Sequence, residues 1–367
     1  MSSLQSLGTP SLLLDGNRLE RNARRMRERL AAMGVGLRLH VKTAKNVEVA
    51  RIAIGADTGP ITVSTLAEAE YFIGHGFTDI LYAVGIVPAK LARVAELRAT
   101  GIDLKVIVDS VEAANASAAS RVPALIEIDS DGHRAGIRPG DARLLDVARA
   151  LGACRAGVMT HAGDSYNARS VDAIRAVAAR EREAVVDCAR QIRDAGMECA
   201  IVSLGSTPTA TFGESFEGVT EVRVGVYVFF DLVMAGLGVC SVDDIAISVL
   251  GAVIGHQRER HWIITDAGWM AMSRDRGTAG HAIDQGYGLV CDANGMPMDE
   301  LIMVEANQEH GIIARRDGGP VDFARFPIGS LVRVLPNHAC ATGAQHKAYH
   351  VLREGRLSEI WERIGGW

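Results

Sequence analysis

The feature of this sequence that most restricts its fold is a series of eight short apolar segments, separated by helical stretches, between residues 36 and 230. The segments are GLRLHV (36–41), ITVS (61–64), DILYAV (79–84), LKVIVD (104–109), ALIEID (124–129), AGVMTH (156–161), CAIVSL (199–204) and EVRVGVYVFF (221–230). The stretches between them, such as 88–99 and 168–196, have the apolar spacing of amphipathic helices. Eight strand–helix alternations predict an α/β protein with a (β/α)8 TIM barrel rather than an open sheet.

The chain after about residue 245 has a different pattern. Short apolar runs with glycine-containing turns replace the helical spacing, which predicts a smaller β-rich domain. The runs are 244–256, 261–273, 301–316 and 329–338. The opening LGTPSLLLD precedes the first long helix, at about 17–33, and is predicted to add a strand to the second domain. The expected domains are therefore a barrel over 16–240 and a β-rich domain formed by 1–15 and 241–367.

Composition and charge exclude several classes of protein. The chain is 48% hydrophobic and 23% charged, which is typical of a globular protein. A net charge of −5 without a basic run argues against nucleic acid as a partner, and no apolar run is long enough to span a membrane. The first ten residues lack the pattern of a secretory signal, and the six cysteines lack C-x-x-C spacing. We expect a cytoplasmic protein with reduced thiols.

Lysine is rare in this chain, and two lysines lie in the hexapeptide HVKTAK (40–45). The sequence has 39 lysines and arginines, of which five are lysine, so 39 − 5 = 34 are arginine. Arginine keeps its proton in proteins, whereas a lysine amine can become neutral and bond covalently to a carbonyl group. Lys42 or Lys45 is therefore a candidate nucleophile, and the alternative is that both are surface charges.

Other polar residues follow the predicted barrel strands, at the end where barrel enzymes place their active sites. Lys42 lies just past the first strand. The loops after strands seven and eight are typical positions for a phosphate group, and they contain Gly205, Ser206, Thr207, Gly225 and Tyr227. These segments can also be read as plain turns, but their joint placement with Lys42 favours a phosphate site.

Strands five and six lead into further candidates. Arg134 follows strand five. If the ligand bound at the lysine contains a pyridine ring, an arginine that faces the ring nitrogen would keep that nitrogen unprotonated. His161, Asp164 and Tyr166 follow strand six, and His161 is a candidate general base because its ordinary pKa lies near neutrality. Each of these side chains has the alternative of a purely structural hydrogen bond.

The segment PNHAC in the second domain offers a pair of metal ligands. His338 and Cys340 are two residues apart, and alternate side chains of an extended segment share a face. Two protein ligands with open positions would describe a catalytic metal better than a structural one. The alternative is a structural role for both residues. His310 is a further candidate ligand in this domain.

These motifs together resemble the fold-type III pyridoxal-phosphate enzymes of the D-threonine aldolase and D-serine dehydratase group. The resemblance is carried by TPSLLLD (9–15), RLHVKTAK (38–45), HAGDSY, GSTPT, RVGVYVFFD and PNHAC. It implies an alanine racemase-like barrel with a C-terminal β domain, and a homodimer. It also implies that Lys42 bonds covalently to pyridoxal phosphate and that His338 and Cys340 bind a divalent metal. The resemblance further implies that Thr207, Gly225 and Tyr227 contact the cofactor phosphate. We also expect cofactor contacts from His40, Arg134, Tyr166 and Ser206.

Two departures from the family pattern and one match bear on the reaction. Leu39 stands where the family usually has proline, and Ala44 where it usually has histidine. Family aldolases tend to have histidine and aspartate at the metal, whereas dehydratases tend to have histidine and cysteine. Cys340 therefore favours a dehydratase, and its soft sulfur favours zinc over manganese or magnesium.

The predicted function is a lyase that depends on pyridoxal phosphate and a metal and acts on a β-hydroxy-D-amino acid. Dehydration to a 2-oxo acid and ammonia is favoured, with Lys42 and His161 as catalytic residues. The main alternative is an aldolase that yields glycine and an aldehyde. An amino-acid racemase, which would need no metal, and a non-catalytic carrier of pyridoxal phosphate are more distant alternatives.

Overall fold

The computed structural model describes residues 4–132 and 134–367. The chain divides into two compact units: residues 23–225 with 366–367 form one, and residues 1–22 with 226–365 form the other. We call the first the barrel unit and the second the β unit. The domain boundaries predicted from the sequence, 15/16 and 240/241, correspond to the divisions at 22/23 and 225/226.

The barrel unit contains a closed parallel barrel, as predicted. After strand β1 (Ser11–Asp15) and helix α1 (Gly16–Ala32), eight strands follow in chain order and close as a ring from β2 to β9. They are β2 (Gly36–His40), β3 (Ile61–Val63), β4 (Asp79–Gly85), β5 (Asp103–Val108), β6 (Ala124–Ile128), β7 (Arg155–Thr160), β8 (Ile201–Leu204) and β9 (Glu221–Val224). The helices between them are α2 (Val47–Ile54), α3 (Leu66–Gly74), α4 (Pro88–Ala99), α5 (Val111–Ala119), α6 (Arg143–Leu151), α7 (Val171–Asp194) and α8 (Thr207–Phe212).

Burial on both faces explains why these strands read as nearly continuous apolar runs. Every residue of β6 is buried. Side chains from four consecutive strands meet in the barrel interior, where Leu81, Ile107, Leu125 and Met159 form one apolar cluster. Helix α7 begins where Ser170 caps it, since the serine side chain accepts a hydrogen bond from the Ala173 amide at 3.1 Å.

The last barrel strand is shorter than the sequence predicts. The expected run 221–230 ends as a strand at Val224, and a 3-10 helix at Val226–Val228 follows. A Cβ at Gly225 would lie 2.6 Å from the backbone oxygen of His40, so the chain passes close to the end of β2 here. The prediction of a strand as far as Phe230 is wrong because the backbone turns at this glycine.

The β unit is built on a nine-stranded sheet, part of which closes into a ring. After helix α9 (Leu232–Gly236) come β10 (Ile247–Gln257), β11 (Trp262–Thr265), helix α10 (Trp269–Met272), β12 (Gly288–Cys291), β13 (Pro297–Ala306), β14 (Gly311–Arg315), β15 (Leu331–Pro336), helix α11 (Ala339–Gly343), β16 (Ala348–Arg353) and β17 (Arg356–Glu362). The order of pairing around the ring is β10, β11, β14, β13, β12 and β15. The ring closes where β15 pairs with β10. The result is an antiparallel barrel of six strands without open edges, and β1, β16 and β17 extend the sheet beyond β10.

Each strand of this antiparallel ring contributes to one apolar core. The core side chains are Val253, Ile263, Val290, Leu301, Ile313, Val321, Phe326 and Val332. Strand β1 pairs with β10 and β16, so the opening segment joins this sheet as predicted. Strands β12, β16 and β17 are not among those predicted from the sequence. None of the helices in the described part of the chain has the length and apolar character needed to cross a membrane.

Candidate active site

The two lysines of HVKTAK lie in the connection between β2 and α2 but have different surroundings. Lys42 is exposed in a turn just past β2, and no described side chain forms an ion pair with it. Lys45 instead lies 3.1 Å from the Glu68 carboxylate, and the Glu68 side chain is only 1% exposed. Glu68 also accepts a hydrogen bond from the Ser64 amide at 2.8 Å. The structure thus gives Lys45 a local ion-pair role and leaves the Lys42 amine available for chemistry.

His161 follows β7 and is held by the neighbouring loop. Its Nδ1 lies 2.8 Å from the backbone oxygen of Gly205, so Nδ1 is the protonated nitrogen that donates. Burial lowers the pKa of His161 to about 3, and the positive charges of Lys42, Arg134 and Arg223 act in the same direction. The ring is therefore neutral near physiological pH.

The ring of His40 lies close to the same charges, at the end of β2. Burial lowers its pKa well below the ordinary value, and the charges of Lys42, Arg223 and His161 add to that effect. Its Nδ1 is shielded from solvent and has no hydrogen-bond partner. The structure therefore brings together Lys42, His40, His161 and a residue that the sequence analysis did not name, Arg223.

Arg223 is a fully buried cation on β9. It donates hydrogen bonds to the Ser203 hydroxyl at 2.6 Å and to the Thr160 backbone oxygen at 2.5 Å. Both acceptors are neutral, and in the described residues no carboxylate lies within ion-pair distance of Arg223. Burial lowers the pKa of Arg223 to about 10, so it keeps its charge at neutral pH.

The loop after β8 has the features expected of a phosphate site. Gly205 has a φ of +140°, and a Cβ there would lie 2.4 Å from the Arg223 backbone oxygen, so only glycine fits. Ser206 caps helix α8 and hydrogen-bonds through its hydroxyl to Thr209 and to Ser165. The buried Thr207 hydroxyl has no hydrogen-bond partner among the described residues. A polar ligand would satisfy it.

Glu181 holds the loops that follow β7 and β8. This residue of helix α7 is 1% exposed, and its Oε1 accepts hydrogen bonds from the Ala162 amide at 2.9 Å and the Gly205 amide at 3.1 Å. One carboxylate oxygen thus holds both Ala162, which follows His161, and Gly205, whose carbonyl oxygen accepts from His161. Glu181 is not predicted from the sequence as a site residue, because a glutamate within a helical pattern normally faces solvent.

Arg134, Tyr166 and Asp164 lie at the outer part of this group. The Arg134 side chain is 53% exposed and lies 3.9 Å from the Glu127 carboxylate, whose pKa is raised by burial. The Tyr166 ring centroid is 6.3 Å from that of His161. Asp164 is exposed, and its carboxylate accepts a hydrogen bond from the side-chain amide of Asn167. These three residues are thus less enclosed than Arg223.

The residues present fit pyridoxal phosphate. Two polar atoms shielded from solvent, His40 Nδ1 and Thr207 Oγ1, lack partners, and both lie at the same end of the barrel as Lys42. Gly205 and Gly225 are places where a side chain would collide with backbone atoms. An accessible lysine, a buried arginine and unsatisfied donors are the groups that such a cofactor needs for attachment, orientation and phosphate binding.

The predicted metal pair lies in the β unit, at the start of helix α11. His338 is the residue before that helix and Cys340 lies within it, so the segment is not extended as the sequence argument assumed. The two side chains nevertheless lie close enough to interact, since Cys340 contributes to the raised pKa of His338. Although burial opposes a charged ring, hydrogen bonds to Asp275 and Cys340 raise the pKa of His338 to about 11.

Asp275 holds the His338 ring in one orientation. The His338 Nδ1 lies 2.7 Å from the Asp275 carboxylate, which leaves Nε2 as the nitrogen that can bind a cation. A carboxylate behind a histidine ligand is the usual way in which proteins fix its orientation. The preceding Asn337 is held by hydrogen bonds to the backbone oxygens of Asp275 and Gly286. The donor set of imidazole and thiol therefore fits a soft divalent cation.

The structure does not extend this pair to a third protein ligand. Across residues 4–132 and 134–367, no group of three or more His, Cys, Asp or Glu side chains is arranged to hold a metal. His310 lies on the exposed turn between β13 and β14. Tyr227 also belongs to the β unit, where it is fully buried in the 3-10 helix Val226–Val228.

Family models match nearly the whole chain. The alanine racemase N-terminal domain matches residues 14–233. The putative serine dehydratase domain matches residues 246–352.

Several characterised proteins are similar over their full length. D-threo-3-hydroxyaspartate dehydratase from Delftia sp. (strain HT23) is 52% identical, over 100% of this chain and 99% of that protein. D-serine dehydratase from Dictyostelium discoideum is 30% identical, over 95% of this chain and 94% of the relative. A 3-hydroxy-D-aspartate aldolase from Paracoccus denitrificans (strain Pd 1222) is 28% identical, over 96% and 90%.

Solved structures agree with this assignment. The structure of the Delftia dehydratase has a TM-score of 0.98 and 51% identity, and the match covers 100% of both chains. Variants of the same enzyme have been solved with a histidine or a cysteine replaced by alanine, the latter in the metal-free form. The chain thus belongs to the family of fold-type III pyridoxal-phosphate lyases that joins an alanine racemase-like barrel to a D-serine dehydratase domain.

Proposed function

We propose that this protein is a metal-requiring dehydratase of β-hydroxy-D-amino acids, with D-threo-3-hydroxyaspartate as its first candidate substrate. The observation that carries the proposal is the contact between His338 and Cys340, with Asp275 behind the histidine. The relative at 52% identity supports the choice of substrate. The products would be a 2-oxo acid, here oxaloacetate, and ammonia.

Residues of the barrel unit would hold the cofactor. When bound, pyridoxal phosphate supplies an aldehyde for covalent attachment of the substrate amine and a ring that accepts electrons from the α-carbon. Lys42 provides the amine that attaches the cofactor. The phosphate would be bound by the loop of Gly205, Ser206 and Thr207, with Gly225 allowing close approach. His40, Tyr166 and Tyr227 remain proposed contacts.

Lys42 is also the better candidate for removing the α-proton. A general base works best when its pKa lies near the operating pH, and a histidine with a pKa of about 3 is a weak base. The neutral His161 ring instead donates through Nδ1 to Gly205 and presents an unprotonated Nε2. We propose that it orients the bound ring and accepts a hydrogen bond rather than a full proton.

Arg223 is favoured over Arg134 as the cation that faces the pyridine nitrogen. The Arg223 guanidinium is fully buried and bonds to neutral groups only, whereas Arg134 is half-exposed and lies near Glu127. A buried arginine keeps its proton and so leaves the ring nitrogen unprotonated. Arg134 remains a proposed cofactor contact at the outer edge of the site.

His338 and Cys340 would bind a divalent cation through Nε2 and Sγ. Such a cation supplies Lewis-acid activation of the leaving β-hydroxyl group. The softness of sulfur supports zinc over manganese or magnesium. In the Delftia enzyme, the histidine and cysteine replaced in the solved variants are two positions apart, as His338 and Cys340 are here.

The aldolase reaction is the second candidate, because 3-hydroxy-D-aspartate aldolases belong to the same family. The two reactions differ in the bond that breaks. Loss of the α-proton and the β-hydroxyl as water leaves a free enamine, which tautomerises to an imine that water hydrolyses to the 2-oxo acid and ammonia. Cleavage between the α- and β-carbons instead gives glycine and an aldehyde. The thiol of Cys340 supports the dehydratase, as the sequence analysis argues.

A product assay tests the proposal. The cofactor-loaded protein is incubated with D-threo-3-hydroxyaspartate, with and without a chelator, and oxaloacetate, ammonia, glycine and glyoxylate are measured. We expect oxaloacetate and ammonia in equal amounts, lost on chelation and restored by zinc. Glycine with glyoxylate would instead establish the aldolase, and activity that survives chelation would remove the metal from the proposal.

Variants of the metal pair provide the control. Cys340→Ala should lose activity and bound metal together. Cys154→Ala, which changes a partly exposed cysteine of the barrel unit, should retain both. The proposal also includes a homodimer in the cytoplasm, which light scattering and cell fractionation would test.

A further inference from the structure

A cleft in the β unit, formed by residues other than the metal pair, contains two arginines. It is open to solvent and lies between β1, β15 and the turn after β12. The polar residues that line it are Asp15, Arg18, Ser248, Asn294 and Arg333. The apolar part of the wall includes Leu13 and Leu352.

Arg333 is the unusual member of this group. It lies on β15 opposite Cys291 of β12 and Leu250 of β10, and the residue is 7% exposed. Its Nε has no hydrogen-bond partner, and within the described residues no carboxylate comes within ion-pair distance of its guanidinium. Its Nη1 lies beside the turn, since a Cβ on Gly295 would be 2.9 Å from it.

The nearby carboxylates are committed to other partners. Asp15 lies 3.4 Å from Arg18 Nε and accepts from the Arg18 amide at 3.0 Å. Asp292 Oδ1 accepts from the Asn294 and Met296 amides at 2.8 and 2.9 Å. Arg18 also donates to the Ile245 backbone oxygen at 2.9 Å. Asp15 therefore balances Arg18, and the positive charge of Arg333 has no direct counterpart in the cleft.

The Arg333 side chain is costly to bury, because its shielded Nε has lost its hydration and gained no hydrogen bond in exchange. Buried polar groups in folded proteins nearly always have a partner, and a group without one indicates a bound water or ion. The planar fork of a guanidinium is suited to the oxygens of a carboxylate or phosphate. Other arginines of the same unit differ, since the half-exposed Arg315, for example, pairs with Asp317 at 2.7 Å.

We propose that this cleft is a binding site for a small oxyanion, with Arg333 as its main donor and Arg18 and the turn at Asn294–Gly295 at its entrance. The ligand is a phosphate-like or carboxylate-like anion. Its binding would stabilise the β unit, because it satisfies Arg333 only in the folded state. The site uses none of the residues assigned to the cofactor or the metal.

Thermal unfolding and calorimetry of the cofactor-loaded protein test this site. Inorganic phosphate is titrated in one arm and malonate in the other, at ionic strength held constant with sodium chloride. We expect saturable binding of at least one probe and a Tm that rises with its concentration. The arm that saturates at lower concentration identifies the tetrahedral or the carboxylate anion as the ligand class.

Three variants make the result specific. Arg333→Met should weaken binding at least about tenfold and abolish the rise in Tm, whereas Arg315→Met, at a half-exposed and paired arginine, should leave both unchanged. Asn294→Asp changes an exposed turn residue, so it folds even if the buried variant does not, and its new negative charge should weaken binding. Absence of saturable binding of either probe, or an equal response in wild type and Arg333→Met, would overturn the proposal.

Discussion

Two arginines on neighbouring barrel strands lie directly opposite each other, yet their guanidinium groups have different partners. Arg38 of β2 and Arg223 of β9 are paired in the strand register. Arg38 bonds to Glu221 at 2.8 Å and to both oxygens of Asp79 at 3.0 and 3.1 Å, and these acids are the first residues of their strands. Arg223 bonds to Ser203 and to the backbone oxygen of Thr160, the last residue of β7. One side chain therefore points to the beginning of the barrel strands, and the other to their carboxyl ends.

The difference separates a stabilising end of the barrel from a reactive end. At the first end, Lys105 adds to the network through ion pairs with Asp79 and Asp103, so each cation has a carboxylate partner. At the other end, Lys42 and Arg223 have no carboxylate within ion-pair distance in the described structure. Paired charges fix the barrel, whereas unpaired charges remain available to a ligand, and barrel enzymes act at the carboxyl ends of their strands.

The largest expected effect concerns Lys42. Lys42→Ala should lower the rate about 10²–10⁴-fold and remove the visible absorbance of the lysine–cofactor bond, because both attachment and proton transfer use this amine. Absorbance spectra and turnover measurements test this. The matched control is Lys45→Ala, three residues away, which removes an ion pair with Glu68 and should keep the absorbance. An unchanged spectrum in the Lys42 variant would contradict the assignment.

The two arginines should respond in opposite ways. Arg38→Met removes the cation that pairs with the largely enclosed Glu221, so the free energy of unfolding should fall by about 3 kcal/mol, with little change in turnover per folded molecule. Arg223→Met should cost less stability, since no buried carboxylate loses a partner, but should strongly lower turnover. Urea unfolding and kinetics on both variants check this. Equal stability losses would show that the two ends do not differ as proposed.

A smaller effect is expected for Glu181, which positions the reactive loops. Glu181→Ala leaves the Ala162 and Gly205 amides unpaired, at about 1–3 kcal/mol for a buried polar group. Cofactor release during dialysis should become faster, since the phosphate loop begins at Gly205. Glu181→Gln retains an oxygen acceptor and should restore retention. If both variants hold the cofactor equally well, Glu181 is not a positioning residue.

The barrel could be predicted from the sequence because each strand is buried on both faces and separated from the next by an amphipathic helix. Strands such as β12 were not predictable. A strand of four residues, Gly288–Cys291, is too short to show a periodic pattern. Its pairing with β13 and β15 depends on residues outside that segment. The end of β9 at Val224 was also not predicted from the sequence, because valine and tyrosine continue the apolar alternation beyond Gly225.

Within the site, the sequence predicts residues that stand out by their type or spacing. It does not predict residues whose role depends on a partner far away in the chain. Lys42 was identified because lysine is scarce, and His338 and Cys340 because of their spacing. Asp275 lies 63 residues before His338, and Glu181 lies 24 residues before Gly205. No local pattern distinguishes such acids from solvated ones, since only the folded chain brings them to their partners. Arg223 was missed because an arginine within a strand motif resembles an exposed residue of an alternating pattern.

The smallest expected effect is the pH dependence that His161 contributes to stability. Its pKa is lowered to about 3 in the folded protein by burial, whereas in the unfolded chain it is close to 6.5. Between these values the unfolded state binds more protons, so acid favours unfolding and stability rises with pH. The cofactor-free protein should therefore lose about 1.4 kcal/mol, relative to His161→Gln, between pH 7.5 and pH 5.5.

Urea unfolding of both proteins at a series of pH values measures that difference directly. His40, whose pKa is also lowered by burial, is present in both proteins, so its contribution largely cancels. The difference should be flat above about pH 8, where His161 is neutral in both states. A difference that grows in the opposite direction would mean that His161 is protonated in the fold. That result would place a compensating negative charge at the reactive end, contrary to the contrast with the paired end of the barrel.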